Sequence, residues 1–198
     1  PISGNSRTMS ANFWTDQKFT KRDYTKQKLP KGDYENCRFV DCLFSKGYLD
    51  NQNFVECTFE GCDLTNTNIA NTTFNDVTFK DCKMVGVQFE TCSQLLLSLR
   101  FSGCNLSVAS FNGMDLPRIG FQDCKLHQTD FSEAHLKQAE FSGCDLENAL
   151  FENTNLEQSD FTSATNFNID PSINHIKKTR FSEGGLIGLL KKYDIVVT

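Results

Sequence analysis

The chain has 198 residues, with 20 basic and 25 acidic side chains and a formal net charge of −5. This length suits one domain with a full core and is short for two. No stretch approaches 18 consecutive apolar residues, which excludes a membrane-spanning helix, and the N-terminus lacks the pattern of a signal peptide. We therefore expect a cytoplasmic protein. Residues 1–8 precede Met9, and we expect them to be a remnant of cloning.

Large apolar side chains recur at every fifth position through most of the chain. The pattern starts at Phe19 and holds without a break to Phe89. It then moves by two positions, and we expect it to resume at Leu96 and to continue to Phe161. Neither a helix nor a strand repeats with a period of five, so this pattern indicates a solenoid.

A small side chain usually occupies the position two before each large one. All nine cysteines of the chain lie in this slot, together with alanines and threonines such as Ala109 and Thr72. The remaining three positions of each unit are mostly polar, as turns and solvent-facing sites require. The sequence thus predicts two inward and three outward positions in every unit of five.

Four such units would close one square coil, because Phe19, Phe39, Phe59 and Phe79 then stack in a single column, 20 positions apart. Coils at the spacing of hydrogen-bonded strands lie about 4.8 Å apart. We expect seven to eight coils, a rod roughly 35 Å long on that spacing.

The cysteines allow two interpretations, a zinc site or buried free thiols. Zinc needs four converging ligands, whereas successive slots lie on adjacent faces and slots 20 apart lie a full coil away. That separation also exceeds the Cβ distance of about 3.8 Å that a relaxed disulfide prefers. We expect reduced, buried thiols, with no metal and no cofactor.

The unit composition resembles that of the pentapeptide-repeat family, most closely in the consecutive segments 144–148, 149–153 and 154–158. This resemblance implies an all-β fold, a right-handed quadrilateral parallel β-helix, over residues 9–170. The break in the five-residue pattern predicts a register shift near residues 92–99. It implies a capping and dimerisation module at residues 171–198.

The tail from Asn168 onward resembles the C-terminal module of the topoisomerase-protecting members of this family, namely McbG, AlbG and, more distantly, the Qnr proteins. Helical spacing of apolar residues after Ser182, a plausible N-cap, predicts a short helix, and a short strand follows it. The residues expected to cap the rod and to join two chains are Leu186, Leu189, Leu190, Tyr193, Ile195 and Val197.

Charge is unevenly distributed along the chain. Residues 101–170 contain 11 acidic and 3 basic side chains, whereas residues 171–198 contain five basic and two acidic ones. Two interpretations stay open: any solenoid needs polar outward positions, or the acids bind a basic partner. The candidate partner-binding residues are Asp130, Glu133, Glu140, Asp145, Glu147, Glu152, Glu157 and Asp160.

No pattern of catalytic residues emerges from the sequence. The three histidines, His127, His135 and His175, do not have the spacing of a metal pair or a triad. We expect no enzyme, no direct nucleic-acid binding and no membrane contact. The resemblance implies a homodimeric DNA mimic that binds DNA gyrase or topoisomerase IV and protects it from quinolones or peptide toxins. The alternative is a generic interaction scaffold with another partner.

Overall fold

The computed structural model describes residues 12–196. They form a right-handed parallel β solenoid of about seven turns, which confirms the predicted fold class. The proposed cloning remnant at residues 1–8 and the proposed dimer contact Val197 lie outside the described residues. None of the helices within residues 12–196 is long and apolar enough to cross a membrane.

The solenoid is built from eleven short strands and three 3₁₀-helices within the described part of the chain. The strands are β1 (Asn12–Thr15), β2 (Lys18–Thr20), β3 (Gly32–Glu35), β4 (Arg38–Val40), β5 (Asn53–Val55), β6 (Thr58–Glu60), β7 (Thr73–Asn75), β8 (Val77–Lys80), β9 (Leu99–Ser102), β10 (Gly120–Gln122) and β11 (Glu140–Ser142). The 3₁₀-helices are η1 (Phe89–Thr91), η2 (Gly184–Leu189) and η3 (Lys191–Tyr193).

The coils stack into four walls. Wall 1 contains the sheet β1-β3-β5-β7, and wall 2 contains the sheet β2-β4-β6-β8-β9-β10-β11. Wall 3 is held by single bridges such as Asp63 with Lys83, and wall 4 by single bridges such as Ser110 with Asp130. Because these bridges join equivalent positions of successive coils, each outward side chain lies above its counterpart in the next coil.

Aromatic side chains fill the interior in two orientations. Within a column the rings stack, as in Phe39 and Phe59 with centroids 4.7 Å apart and planes at 9°. Between columns they meet edge to face, as in Phe54 and Phe59 at 73°. Both arrangements suit the ring quadrupole, and these rings are completely buried.

The small slot has a second role besides fitting the interior. Its side chain donates a hydrogen bond to a backbone carbonyl of the preceding coil, as Thr67 Oγ1 does to Phe44 O at 2.9 Å and Cys57 Sγ to Tyr34 O at 3.3 Å. A buried carbonyl needs such a donor, so Cys, Thr and Ser are suited to the slot by chemistry as well as by size.

All nine cysteines are buried, as the small slot predicts, and none of them forms a disulfide in the described residues. Burial raises the pKa of the Cys57 and Cys92 thiols to about 12. They therefore stay protonated at neutral pH and keep their capacity to donate.

The register shift falls on wall 1 and differs from the expectation in one detail. Leu96 does not resume the inward frame, because its side chain is 67% exposed and its φ is 56°. Leu97 packs against the core instead, Leu99 takes the small slot, and Phe101 is the next inward aromatic residue. The coil that contains the shift is two positions longer than its neighbours, since Phe79 of β8 pairs with Phe101 of β9.

The C-terminal end departs from the predicted helix and strand. Parallel pairing continues to Arg180, which lies beside Asp160, so the solenoid extends past the predicted boundary at 170. The helical segment consists of η2 and η3, which are 3₁₀-helices, since three glycines in η2 disfavour a longer α-helix. Ile195 and Val196 lie outside any strand. The N-cap of η2 is Glu183 and not the predicted Ser182, although Ser182 Oγ accepts a hydrogen bond from Gly185 N at 3.1 Å.

Candidate protein-interaction surface

The predicted acidic residues do not form one patch, because the solenoid distributes them over all four walls. Four are exposed and four are half-buried. Counted from the inward residues, Asp130, Glu133 and Glu152 belong to wall 4, Glu140 and Asp160 to wall 2, Asp145 and Glu147 to wall 3, and Glu157 to wall 1. A partner approaching from one side would therefore meet only some of them.

Half of these acids already have a cationic or imidazole neighbour. Asp160 lies 2.9 Å from Arg180, Glu157 lies 3.9 Å from Lys137, and His127 lies near both acids of wall 3. Partial burial acts to raise the pKa of Asp160, but hydrogen bonds from Thr162 and the charge of Arg180 outweigh it and lower that pKa. These side chains contribute less free negative charge than the sequence count indicates.

Of the eight predicted acids, those without an ion pair lie mostly on wall 4. Within residues 12–196, Asp130, Glu133, Glu140 and Glu152 form no salt bridge, and all but Glu140 lie on this wall. The 49% exposed side chain of Leu150 stacks below Asp130 in the same column. We name this set, Asp130, Glu133, Leu150 and Glu152, the acidic wall.

The tail leaves an apolar end on the rod. Of the predicted dimer contacts, Leu186, Leu190, Tyr193 and Ile195 are between 37% and 60% exposed. Leu189 differs, since it packs against the core. Ile187, which is not among the predicted dimer contacts, is 50% exposed and belongs to the same surface.

This apolar end is held firmly on the last coil. The backbone N–H of Ile169 donates to Gly188 O at 3.0 Å, and a Cβ on Gly188 would lie 2.5 Å from the Phe167 ring. Lys192 Nζ lies 2.6 Å from Asp170 Oδ1, and this contact, together with hydrogen bonds from Ser172, lowers the pKa of Asp170 to about 2. The tail is therefore a docked cap with an outward apolar face.

A second apolar projection lies at the register shift. Leu95 and Leu96 are 71% and 67% exposed, and an open groove next to Leu97 contains Arg100 and Arg118. The two extra residues of this coil place these leucines outside the solenoid, because the chain must return to the inward register within the same wall.

Sequence reasoning missed one cluster on wall 3. His127 Nε2 lies 2.7 Å from Asp145 Oδ2, and His127 Nδ1 lies 3.7 Å from Glu147 Oε2. The signal is that each acid follows the histidine by about one coil of sequence, which places the three side chains next to one another. A search for ligand spacing within one helix or strand cannot find such a group.

The repeat geometry agrees with a comparison of the sequence against protein families. A family model described as pentapeptide repeat region matches residues 52–123 and 115–189, more than half of the chain. The chain belongs to the pentapeptide-repeat family. A search of curated protein sequences found no match.

Solved pentapeptide-repeat structures share this fold. A trypsin-treated variant of QnrB1, a plasmid-mediated fluoroquinolone resistance protein, superimposes with a TM-score of 0.63 at 18% identity, covering 94% of this chain and 92% of that chain. HetL, involved in heterocyst differentiation regulation in the cyanobacterium Nostoc sp. strain PCC 7120, gives a TM-score of 0.65 at 17% identity, covering 87% and 84%. At these identities the similarity establishes the fold alone.

Proposed function

We propose that this pentapeptide-repeat protein is a dimeric, non-enzymatic DNA mimic that binds a type II topoisomerase, DNA gyrase or topoisomerase IV. Binding would protect the enzyme from inhibitors such as quinolones or peptide toxins. The observation that carries the proposal is the acidic wall, where three outward carboxylates on one wall form no salt bridge in the described residues.

Charge supports a basic partner. Duplex DNA carries one negative charge per about 1.7 Å of axis, whereas the rod places a few carboxylates on each coil of about 4.8 Å. The rod is sparser in charge but has the sign that attracts a DNA-binding surface. Such a field mainly steers and accelerates the encounter, and salt screens it.

The apolar end supports a dimer. Exposed contiguous apolar side chains at the end of a polar rod are typical of protein interfaces. A two-fold contact there would bring the two acid-rich halves to the centre. It would leave the N-terminal ends at the tips, where the residues before Leu49 include nine basic and five acidic side chains. QnrB1, with which this chain shares its fold, is a fluoroquinolone resistance protein, and this adds to the choice of topoisomerase as partner.

The proposal is tested in a gyrase supercoiling assay with a quinolone present. The purified protein should restore supercoiling at micromolar concentration, and Glu133→Gln/Glu152→Gln should weaken protection about tenfold. The matched control, Glu140→Gln/Glu157→Gln, removes the same charge from walls 2 and 1 and should behave like the unmodified chain. Equal loss in both double variants, or no protection at all, would refute a role for the acidic wall.

The alternative is an interaction scaffold with an unrelated partner. The fold similarity to HetL, a protein involved in differentiation regulation, favours this interpretation to the same extent that QnrB1 favours the first. A pull-down from cell extract distinguishes them. Recovery of a topoisomerase subunit that Glu133→Gln/Glu152→Gln abolishes supports the first proposal, whereas a different partner retained without topoisomerase supports the scaffold.

A further inference from the structure

The cluster on wall 3 joins two consecutive coils. His127 follows the inward Leu126, and Asp145 and Glu147 flank the inward Leu146 one coil later. Backbone hydrogen bonds fix this register, since Leu126 N donates to Asp145 O at 2.8 Å and Gln128 N donates to Glu147 O at 2.9 Å. The imidazole therefore lies over a pair of carboxylates on a rigid backbone.

The structure orients the carboxylate of Asp145. Its Oδ1 accepts hydrogen bonds from Asn166 Nδ2 at 2.8 Å and from the backbone of Glu147 at 3.3 Å, which leaves Oδ2 facing the imidazole. Partial burial acts to raise the pKa of Asp145, but the bonds from Asn166 and His127 lower it overall. Its hydrogen bonds thus give Asp145 a fixed direction, as outer hydrogen bonds do for ligands in metal sites.

We propose that His127, Asp145 and Glu147 form a binding site for a divalent transition-metal ion, with Zn²⁺ as the expected occupant. One ligand atom from each residue lies within 4.8 Å of the others. Ligand atoms around a tetrahedral zinc ion lie about 3.3 Å apart, given zinc–ligand bonds of about 2.0–2.2 Å. The exposed Glu147 side chain can move to close the remaining distance, and water completes the coordination.

The set of ligands selects the class of metal. An imidazole nitrogen with two carboxylate oxygens suits Zn²⁺ and its first-row neighbours. Ca²⁺ needs six to eight oxygen ligands, and Mg²⁺ does not favour imidazole, so neither fits three ligands of this type. Lys125 stacks beside Asp145, and Lys191 lines the adjacent groove with Glu147, but neither forms a salt bridge with these acids in the described chain.

Metal at this position would have two consequences for the rod. It would cross-link two coils close to the cap, because Asp145 is bonded to Asn166 and Lys191 Nζ lies 3.5 Å from Asn166 O. It would also neutralise two carboxylates of the acid-rich half. The site does not rest on the proposed topoisomerase contact, since the unpaired acids of that contact lie on wall 4.

The test uses the full-length chain without an affinity tag, with a reductant that does not bind metal, and ZnCl₂ titrated by calorimetry. One Zn²⁺ should bind per chain, and Tm should rise by about 3–6 °C when free Zn²⁺ is ten times Kd.

Two variants and one control decide the outcome. His127→Gln and Glu147→Gln should each weaken binding about tenfold or more. His135→Gln is the matched control, because His135 Nδ1 lies 2.8 Å from Asp115 Oδ1 but this pair has no third ligand within the described chain. Saturable binding that survives both variants, or no binding at all, would overturn the proposal.

Co²⁺ absorption separates this site from the buried thiols. Binding at His127, Asp145 and Glu147 gives weak visible bands without thiolate-to-metal charge transfer. A thiolate charge-transfer band in the bound Co²⁺ spectrum would assign the metal to cysteine and would also overturn the proposal.

Discussion

Single residues in the small slot show how this fold satisfies its interior polar groups. Thr72 donates its hydroxyl to Leu49 O at 2.6 Å, one coil earlier. Gln52 occupies the equivalent slot one coil before Thr72, and it is buried, but neither its amide nitrogen nor its amide oxygen has a hydrogen-bond partner in the described chain. The same slot therefore contains one well-suited and one poorly suited residue.

These two positions give stability predictions of opposite sign. Gln52→Leu removes an unpartnered buried amide with little change of volume, and it should increase the free energy of unfolding by about 1–2 kcal/mol. Thr72→Val keeps the shape and removes the donor, so it should lower the free energy of unfolding by about 1–2 kcal/mol. Urea denaturation of both variants beside the unmodified chain measures the difference, and a loss of stability in Gln52→Leu would contradict the account of the slot.

At the scale of elements, the cap illustrates how close contact depends on glycine. Gly188 passes so near the Phe167 ring that a Cβ would lie 2.5 Å from it, whereas a Cβ on Gly184 has no atom within 4 Å. Both glycines belong to η2, so they form a matched pair that differs in contact with the last coil.

Gly188→Ala should undock the cap, and Gly184→Ala should not. The first substitution forces the helix away from Phe167 and breaks the bond from Ile169 N to Gly188 O, so we expect a loss of about 1–3 kcal/mol, the usual cost of overpacking. If the outward face of the cap forms the dimer, Gly188→Ala should also shift the protein towards monomer in light scattering. A dimer unaffected by an undocked cap would place the interface elsewhere.

The register shift, also a feature at the scale of elements, decides which leucine of the longer coil faces inward. The sequence predicts an irregularity between residues 92 and 99, but it assigns Leu96 to the interior. The choice among four neighbouring leucines depends on which one the closing coil can reach, and Leu97 and Leu99 satisfy that requirement. The periodicity of the sequence locates such a shift, but the path of the backbone decides which side chain is exposed to solvent.

At the scale of the whole molecule, the solenoid brings residues that are about one coil apart in sequence next to each other. Glu133 and Glu152 are nearly one coil apart in sequence, yet backbone Glu133 N donates to Glu152 O at 2.7 Å. Acids that are spaced along the chain are thus sorted into walls. Basic or imidazole side chains in the described residues pair the predicted acids on walls 1 and 3 and one of the two on wall 2.

Association with a topoisomerase should be strongly salt-dependent if the acidic wall makes the contact. Raising the ionic strength from about 0.01 M to 0.15 M shortens the Debye length from about 30 Å to about 8 Å, and the association rate should fall at least tenfold. Stopped-flow or surface-based kinetics measures this. Glu133→Gln/Glu152→Gln should show a shallower dependence than Glu140→Gln/Glu157→Gln, and a salt-independent rate would exclude electrostatic steering.

The sequence by itself determined the solenoid, the two inward positions of each unit and the buried thiols, because a period of five repeated over the chain admits one way to hide its large side chains. It also located the acid-rich half and the apolar tail. Only the tertiary structure decided which acids are free, which leucines are exposed and that His127 meets Asp145 and Glu147. Those properties depend on contacts between coils, where side chains that are a full coil apart in sequence compete for the same neighbours.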